Sequence, residues 1–419
     1  MTTDEEFAKQ YGSPLYVYDL DLAVAARDAL VGALPPGTTL YFSFKANPHP
    51  AIARALREAG EHSCAAEISS VGELASAVEA GFAGAEMLYT GPGKTHEEIA
   101  VAIDAGVRRF SVESRTDLLR VANEASARNV VVDCLIRVNS AAAGASTGIR
   151  MTGAPSQFGF DIERLPDDIR RLGSVSSVRL SGLHLFSLSN ARDEAALIAE
   201  FEHTIATAAE LRDRTGLGIE FLDIGGGFAA PYLTPGARYE YPRLRAALEE
   251  SLDAHFPQWR SGTPHIACES GRYLTAECGR LICTVVNVKE SRGRKFVVLD
   301  AGINVLGGMS GLGRLLPTSV GLDGPHRVDL NGDRAHSENI TLVGPLCTPG
   351  DILGRSVDVH ELRPDDVVAI PNAGAYGMTA SLTLFLGRPM PTEITVRDGK
   401  VTSVSRVHAE RNFSYRNNP

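Results

Sequence analysis

The chain has 419 residues, 44% apolar and 22% charged, enough for one large core and a second domain. Its formal charge of -10 argues against a nucleic-acid surface, and the acidic start Met1-Thr-Thr-Asp-Glu-Glu6 is not the basic, then apolar, pattern of a secretion signal. No apolar run approaches the ~20 residues of a membrane span, so no membrane contact and a cytoplasmic location are expected.

In chain order, Ser13-Pro-Leu-Tyr-Val-Tyr18 comes first, β-prone and placed to pair with strands far downstream. Eight apolar, β-prone segments follow, at 40–43, 61–68, 86–90, 109–112, 130–138, 179–186, 219–224 and 265–268. Helical spacing appears at 21–34, 50–59, 72–80, 95–105, 115–128 and 193–215, with Ser or Thr often at the start and Gly at the end. Eight strand–helix units make a (β/α)8 barrel; a doubly wound sheet competes, and periodicity alone does not separate the two. The connection 139–160 is rich in Gly, Ala and Ser and reads as a mobile loop near the barrel mouth. From about 275 the pattern changes to strands at 281–288, 295–299, 340–343, 366–370 and 393–396 with little helix between, an all-β domain. The expected division is 25–275 for the barrel, and 1–24 with 276–419 for a β-domain that completes the active site.

Chemistry concentrates at strand ends. Lys45, in Tyr41-Phe-Ser-Phe-Lys-Ala-Asn47, ends the first barrel strand, on the face where barrel enzymes build active sites. Its apolar flanks would ease holding the amine neutral and nucleophilic, so that it can carry an aldehyde as a Schiff base. Asp223-Ile-Gly-Gly-Gly-Phe228 follows the seventh strand and Glu269-Ser-Gly-Arg272 the eighth, where glycine turns let backbone N–H groups approach a phosphate. Of the six cysteines (64, 134, 268, 278, 283 and 347) most lie in apolar runs as buried thiols, and neither a disulfide scaffold nor a metal site is expected. Only Cys347 stands apart, in a Gly/Pro-rich turn.

Lys45 in Phe-Lys-Ala-Asn, Gly225-Gly-Gly227, Glu269-Ser-Gly-Arg272, Gly344-Pro-Leu-Cys347 and Gly374-Ala-Tyr376-Gly, in that order, resemble the fold-type III pyridoxal-phosphate (PLP) decarboxylases, which include the diaminopimelate, ornithine and arginine decarboxylases. The resemblance spans about residues 13 to 400. It implies an alanine racemase-like barrel with a C-terminal β-barrel domain, PLP as cofactor, and a homodimer with shared active sites. Gly91-Pro-Gly-Lys94, Ser146-Thr-Gly-Ile-Arg-Met151, Gln157-Phe-Gly159 and Gly344-Pro-Leu-Cys-Thr-Pro349 are similar to the branch that acts on a glutamyl group held on an acyl carrier protein in butirosin-type biosynthesis. Carried over by position, Lys45 would hold PLP and Glu269 would keep the pyridine nitrogen protonated. Gly225, Gly226, Gly227, Gly271, Ser189 and Tyr376 would hold the phosphate. Arg137 and Glu67 would flank the ring and the lysine, and Arg272 would serve cofactor and substrate. Cys347 would enter from the partner subunit and return a proton to Cα, with Thr348 and Asp351 beside it; a small buried cysteine is the competing reading of Cys347 from composition.

Departures from the family pattern bear on substrate. Phe186 stands where most relatives stack a histidine on the ring, and His184 is expected to face away and serve as a core histidine. Thr348 stands where ornithine and diaminopimelate decarboxylases carry an acid for the substrate's distal ammonium, which disfavours such substrates. Arg314 is the remaining candidate for binding a distal carboxylate. The expectation is a PLP-dependent amino-acid decarboxylase of secondary metabolism. Its substrate would lack a distal ammonium and be either free or tethered to a carrier protein. Diaminopimelate decarboxylation, a racemisation, a decarboxylative condensation and a cofactor-free regulator are the alternatives.

Overall fold

The computed structural model describes residues 3–58, 63–140, 149–150, 155–172, 175–307, 320–323 and 337–411. It divides into two compact units: Leu22–Pro231 with Ala237–Glu277, and Met1–Asp21 with Tyr232–Gly236 and Cys278–Pro419.

Eight parallel strands form the first unit: β1 (Thr39–Ser43), β2 (Ala65–Ile68), β3 (Met87–Tyr89), β4 (Arg109–Val112), β5 (Val132–Asn139), β6 (Val178–Leu185), β7 (Phe221–Asp223) and β8 (His265–Ser270). Each pairs with the next, and β8 pairs back onto β1 with Glu269 opposite Tyr41. Closure rejects the doubly wound alternative, whose sheet would keep two free edges. Tyr41, Leu88, Leu135, Phe221 and Ala267 fill the interior. Towards the N-terminal end the Arg109 guanidinium lies 4.0 Å from the Phe221 ring centre and donates to the Tyr41 hydroxyl at 3.2 Å. A cavity of about 1060 Å³ opens there, lined by Thr39, Arg109, Glu220 and His265 among others. The strand C-termini, with Lys45, lie at the opposite end.

Local sequence explains the helices. Ser70, Thr95 and Ser114 each accept a backbone N–H three residues on, at the starts of Val71–Glu79, His96–Asp104 and Arg115–Ala127. Helices Leu165–Leu172 and Leu244–His255 add to those expected from spacing. Within 139–160, residues 141–148 and 151–154 lie outside the described residues, so the expectation of a mobile loop falls largely there. Ile149–Arg150 pairs with Leu188–Ser189.

In the second unit a helix, Asp4–Tyr11, is closed at its start by a capping box between Thr3 and Glu6. Strand Leu15–Asp19 pairs antiparallel with Gly279–Ser291 and parallel with Thr392–Arg397. The sheet continues through Arg294–Leu299, Ser337–Val343 and Ile352–His360 on one side and Lys400–Ser405 on the other, with Val367–Ile370 also pairing with Gly279–Ser291. Phe7, Leu15, Val17, Ile282, Ala369, Ile394 and Val396 form a core. The short segment Tyr232–Gly236 belongs to this unit: Asn372 Nδ2 donates to the Thr234 carbonyl at 2.8 Å. Among the described residues, no helix is long and apolar enough to cross a membrane.

Candidate active site

β1 ends at Ser43 and runs into the 3-10 turn Phe44–Ala46. Phe44 and Ala46 are buried, which leaves the intervening Lys45 side chain 44% exposed. Its Nζ donates to both carboxylate oxygens of Glu67, at 3.1 and 2.9 Å, and the Thr90 hydroxyl donates to the same carboxylate. The sequence suggested an apolar setting that would favour a neutral amine. The structure instead places Lys45 in an ion pair, which favours the ammonium. Glu67 is thus the near acceptor for the proton that Lys45 must lose before it can attack a carbonyl carbon.

Phe186 follows β6, with its ring centre 5.9 Å from Lys45 Nζ and 5.9 Å from the Arg137 guanidinium carbon. Arg137, on β5 and only 8% exposed, lies 3.6 Å from Glu113 and 5.0 Å from the Phe158 ring centre. Glu113 also accepts the Gly159 N–H at 2.7 Å, and its own N–H donates to Asp117, which pairs at 2.8 Å with the buried Lys94. The stretches ending in Lys94 and Gly159 therefore brace Arg137 through Glu113.

The loops after β7 and β8 are joined by hydrogen bonds from Ile224 N to Ala267 O at 2.9 Å and from Glu269 N to Gly225 O at 2.8 Å. Gly225 and Gly227 have φ of +76° and +112°, and Cβ atoms at Gly225 or Gly226 would lie 2.4 Å from the Leu185 carbonyl or 2.1 Å from that of Glu269. A Cβ at Gly271 would meet Ala46 at 2.7 Å, in the turn that carries Lys45. Ser189 sits on the segment beside Gly227, where Ala191 N donates to Gly227 O at 2.8 Å. Arg272 opens the short helix Arg272–Thr275 and is 9% exposed. The structure thus gathers Lys45, Glu67, Arg137, Phe186, Ser189, Gly225, Gly226, Gly227, Glu269, Gly271 and Arg272 at one end of the barrel.

Beneath them lies a cluster that the sequence did not reveal. His184 does not face away from the site: alternate residues of a strand share a face, and its Nε2 lies 3.2 Å from Glu269 Oε1. Its Nδ1 is 2.8 Å from the Ser111 hydroxyl. Asp223 completes the group, so that one ligand-type atom each from His184, Asp223 and Glu269 lie within 4.8 Å of one another, a spacing that would also suit a metal ion. All three side chains are buried. Burial, then the charge of Glu269, pushes the Asp223 carboxyl up to about 7. Burial works to raise Glu269 as well, but its contact with His184, with Lys45 and Arg137 beyond, outweighs it and holds that carboxyl down. Glu113, Thr90, His184 and Asp223 are the site residues missed from sequence; the parity of β6 was a usable signal only for His184.

Cys347, Thr348 and Tyr376 belong to the second unit. Cys347 is exposed at the tip of a turn, so the competing reading of it as a buried thiol is wrong. Asp351, expected beside Cys347, is 3% exposed and accepts the Ile303 and Leu346 N–H groups at 2.8 and 2.7 Å, bracing that turn from within. Tyr376 has φ of +51°, and its carbonyl accepts the Tyr232 hydroxyl at 3.2 Å. Arg314 lies outside the described residues.

Two observations fit PLP. The glycine turns leave bare backbone where side chains would collide, as a phosphate cradle requires, and the buried Glu269 carboxylate, held down by its neighbours, is an acceptor suited to a protonated ring nitrogen. Comparison with known proteins agrees. The model for the pyridoxal-binding domain of pyridoxal-dependent decarboxylases matches residues 24–276. An L-glutamyl-(BtrI acyl-carrier protein) decarboxylase of Niallia circulans is 32% identical over 403 residues, covering 95% of this chain and 92% of the relative. A diaminopimelate decarboxylase of Zymomonas mobilis is 31% identical over 403 residues, covering 94% and 90%. Among solved structures, diaminopimelate decarboxylase from Helicobacter pylori complexed with L-lysine superposes with a TM-score of 0.80 over 96% of this chain and 95% of that one, at 22% identity, a likeness of fold.

Proposed function

Since the chain belongs to the pyridoxal-dependent decarboxylases, with PLP as cofactor and removal of a carboxyl group as reaction class, we propose that its substrate is an α-amino acid without a distal ammonium, in first place an aminoacyl group tethered to a carrier protein. The observation that carries this is Thr348. It follows Cys347 where an ammonium-binding acid would be needed, and its hydroxyl is turned to the Gly350 N–H at 3.4 Å within its own turn. An ammonium brought out of water without a carboxylate loses several kcal/mol. The Niallia circulans relative, named for a glutamyl carrier substrate, supports the tethered form.

PLP, when bound, supplies an electron sink for the pair left as the bond from Cα to the carboxyl breaks. Lys45 would anchor the aldehyde once its ammonium proton has passed to Glu67, the carboxylate with which it pairs. The backbone of Gly225, Gly226, Gly227 and Gly271, with Ser189, would hold the phosphate. Phe186 and Arg137 wall the ring and limit water, Arg272 serves cofactor and substrate, and Glu269 holds the ring-nitrogen proton. Cys347, exposed on its turn, serves the site of the partner subunit in a homodimer and delivers a proton to Cα. The setting is secondary metabolism in the cytoplasm.

The test is carbon dioxide release from PLP-loaded protein, with Lys45→Ala as the blank. The panel comprises free L- and D-amino acids, meso-diaminopimelate, and amino acids thioesterified to a carrier protein. Release from tethered glutamate and not from diaminopimelate is expected. Turnover of diaminopimelate, the activity for which the Zymomonas mobilis relative is named, overturns the argument from Thr348.

A further inference from the structure

His184 is 0% exposed, Asp223 0% and Glu269 2%, and they set one buried imidazole against two buried carboxylates. Two adjacent buried carboxylates do not both stay ionised unless a cation stands by them. Lys45 and Arg137 also act on Glu269, but each has a carboxylate of its own, Glu67 and Glu113. His184 is placed differently: Ser111 Oγ meets its Nδ1 at 2.8 Å, and Nε2 faces Glu269 Oε1 at 3.2 Å without an aligned hydrogen bond. Asp223 spends one oxygen on the Gly225 N–H at 2.8 Å, and its other oxygen has no hydrogen-bond partner.

We propose that His184 is a positioning residue that keeps Glu269 anionic and aimed at the PLP ring nitrogen, with Asp223 as the neutral carboxyl of the cluster. The inference rests on the reading of Glu269 as the partner of that nitrogen. The upward displacement of Asp223 and the low setting of Glu269 agree with it. Without the imidazole nothing confines the pair's one proton to Asp223, and Glu269 carries it part of the time. A protonated Glu269 no longer favours a proton on the ring. Strand β6 thus carries, two residues before the wall residue Phe186, a second group that acts on the cofactor through another side chain.

The experiment is the nitrogen-15 spectrum of ring-labelled PLP bound to the full-length protein, with the PLP dissociation constant measured in parallel. Five proteins are compared: wild type, His184→Gln, Ser111→Ala, Glu269→Gln and the double variant Asp223→Asn/His184→Gln. In His184→Gln the ring nitrogen should lose its proton and PLP should bind about tenfold more weakly, and Asp223→Asn should restore both, because it removes the competing acid. Ser111→Ala should shift the resonance less, in the same direction, and carries the test if His184→Gln does not fold. A packing role for His184 would lower the melting temperature and leave the resonance in place, which overturns the inference. So does loss of the ring proton from wild type on treatment with EDTA, which would make the cluster a cation site. If Glu269→Gln shifts the resonance and the His184 and Ser111 variants do not, the inference fails and the assignment of Glu269 stands. If Glu269→Gln has no effect either, that assignment fails with it.

Discussion

Replacing Gly226 by alanine would put a Cβ 2.1 Å from the Glu269 carbonyl oxygen and 3.4 Å from the Phe186 ring. The loop after β7 would have to withdraw from β8 by about 1.3 Å to reach ordinary contact distance, against the Glu269-to-Gly225 bond of 2.8 Å and the Ile224-to-Ala267 bond of 2.9 Å. Overpacking of this kind costs about 1–3 kcal/mol, and a lost buried hydrogen bond adds about 1 kcal/mol. In a barrel unit of this size each kcal/mol lowers the melting temperature by roughly 2–4 °C, so the cofactor-free variant should melt about 5–15 °C lower by calorimetry. Because the displaced backbone is that of Glu269 itself, PLP affinity should fall at least about tenfold as well. Gly218→Ala is the control, since a Cβ there meets nothing within 4 Å. A Gly226→Ala protein that melts within about 2 °C of wild type and binds PLP as tightly would refute the argument that these loops are closed onto each other by the absence of side chains.

Three more outcomes follow from particular groups. Burial raises the Glu393 carboxyl from its ordinary 4.5 to about 7, with Tyr18 donating to it at 3.0 Å. The folded state therefore resists ionisation, so a destabilisation absent below 4.5 grows up to pH 7 and then levels off. Glu393→Gln should match wild type at pH 4 and exceed it by about 2–3 kcal/mol at pH 8.5 in denaturant titrations. Lys94→Met should cost about 3–5 kcal/mol by leaving the buried Asp117 uncompensated, and Lys94→Met/Asp117→Leu should recover most of it. Mixing inactive Lys45→Ala with inactive Cys347→Ala should restore about a quarter of wild-type activity if each site draws Cys347 from the partner subunit; no recovery after verified subunit exchange would place both residues in one chain's site.

The barrel was legible because its strands are short apolar runs and its helices open on Ser or Thr caps, as at Ser70, Thr95 and Ser114. Segment 109–112 matches β4 at both ends. Strand β7 is shorter than 219–224 because the glycine turn begins at once after Asp223. Helix Leu165–Leu172 escaped notice because only Leu165 and Leu172 are buried along it, and Leu244–His255 because it follows a long irregular stretch after the glycine turn. Strands Ile352–His360 and Lys400–Ser405 interleave exposed and covered residues of mixed polarity, which leaves little hydrophobic signal to read. At the site, the positions of Lys45, Gly225, Gly226, Gly227 and Glu269 follow from their places at strand ends. The pairing of Lys94 with Asp117, the Glu113 brace on Arg137 and the ion pair that holds Lys45 join separate loops, so only the folded chain shows them.

Lys45, at the end of β1, is the proposed anchor of the cofactor. The most direct measurement is borohydride reduction of the PLP-loaded protein followed by peptide mass mapping. A single phosphopyridoxyl group is expected, on the peptide containing Lys45, and none in Lys45→Ala. A label on Lys94 or any other lysine, or no label on protein that has bound PLP, would contradict it.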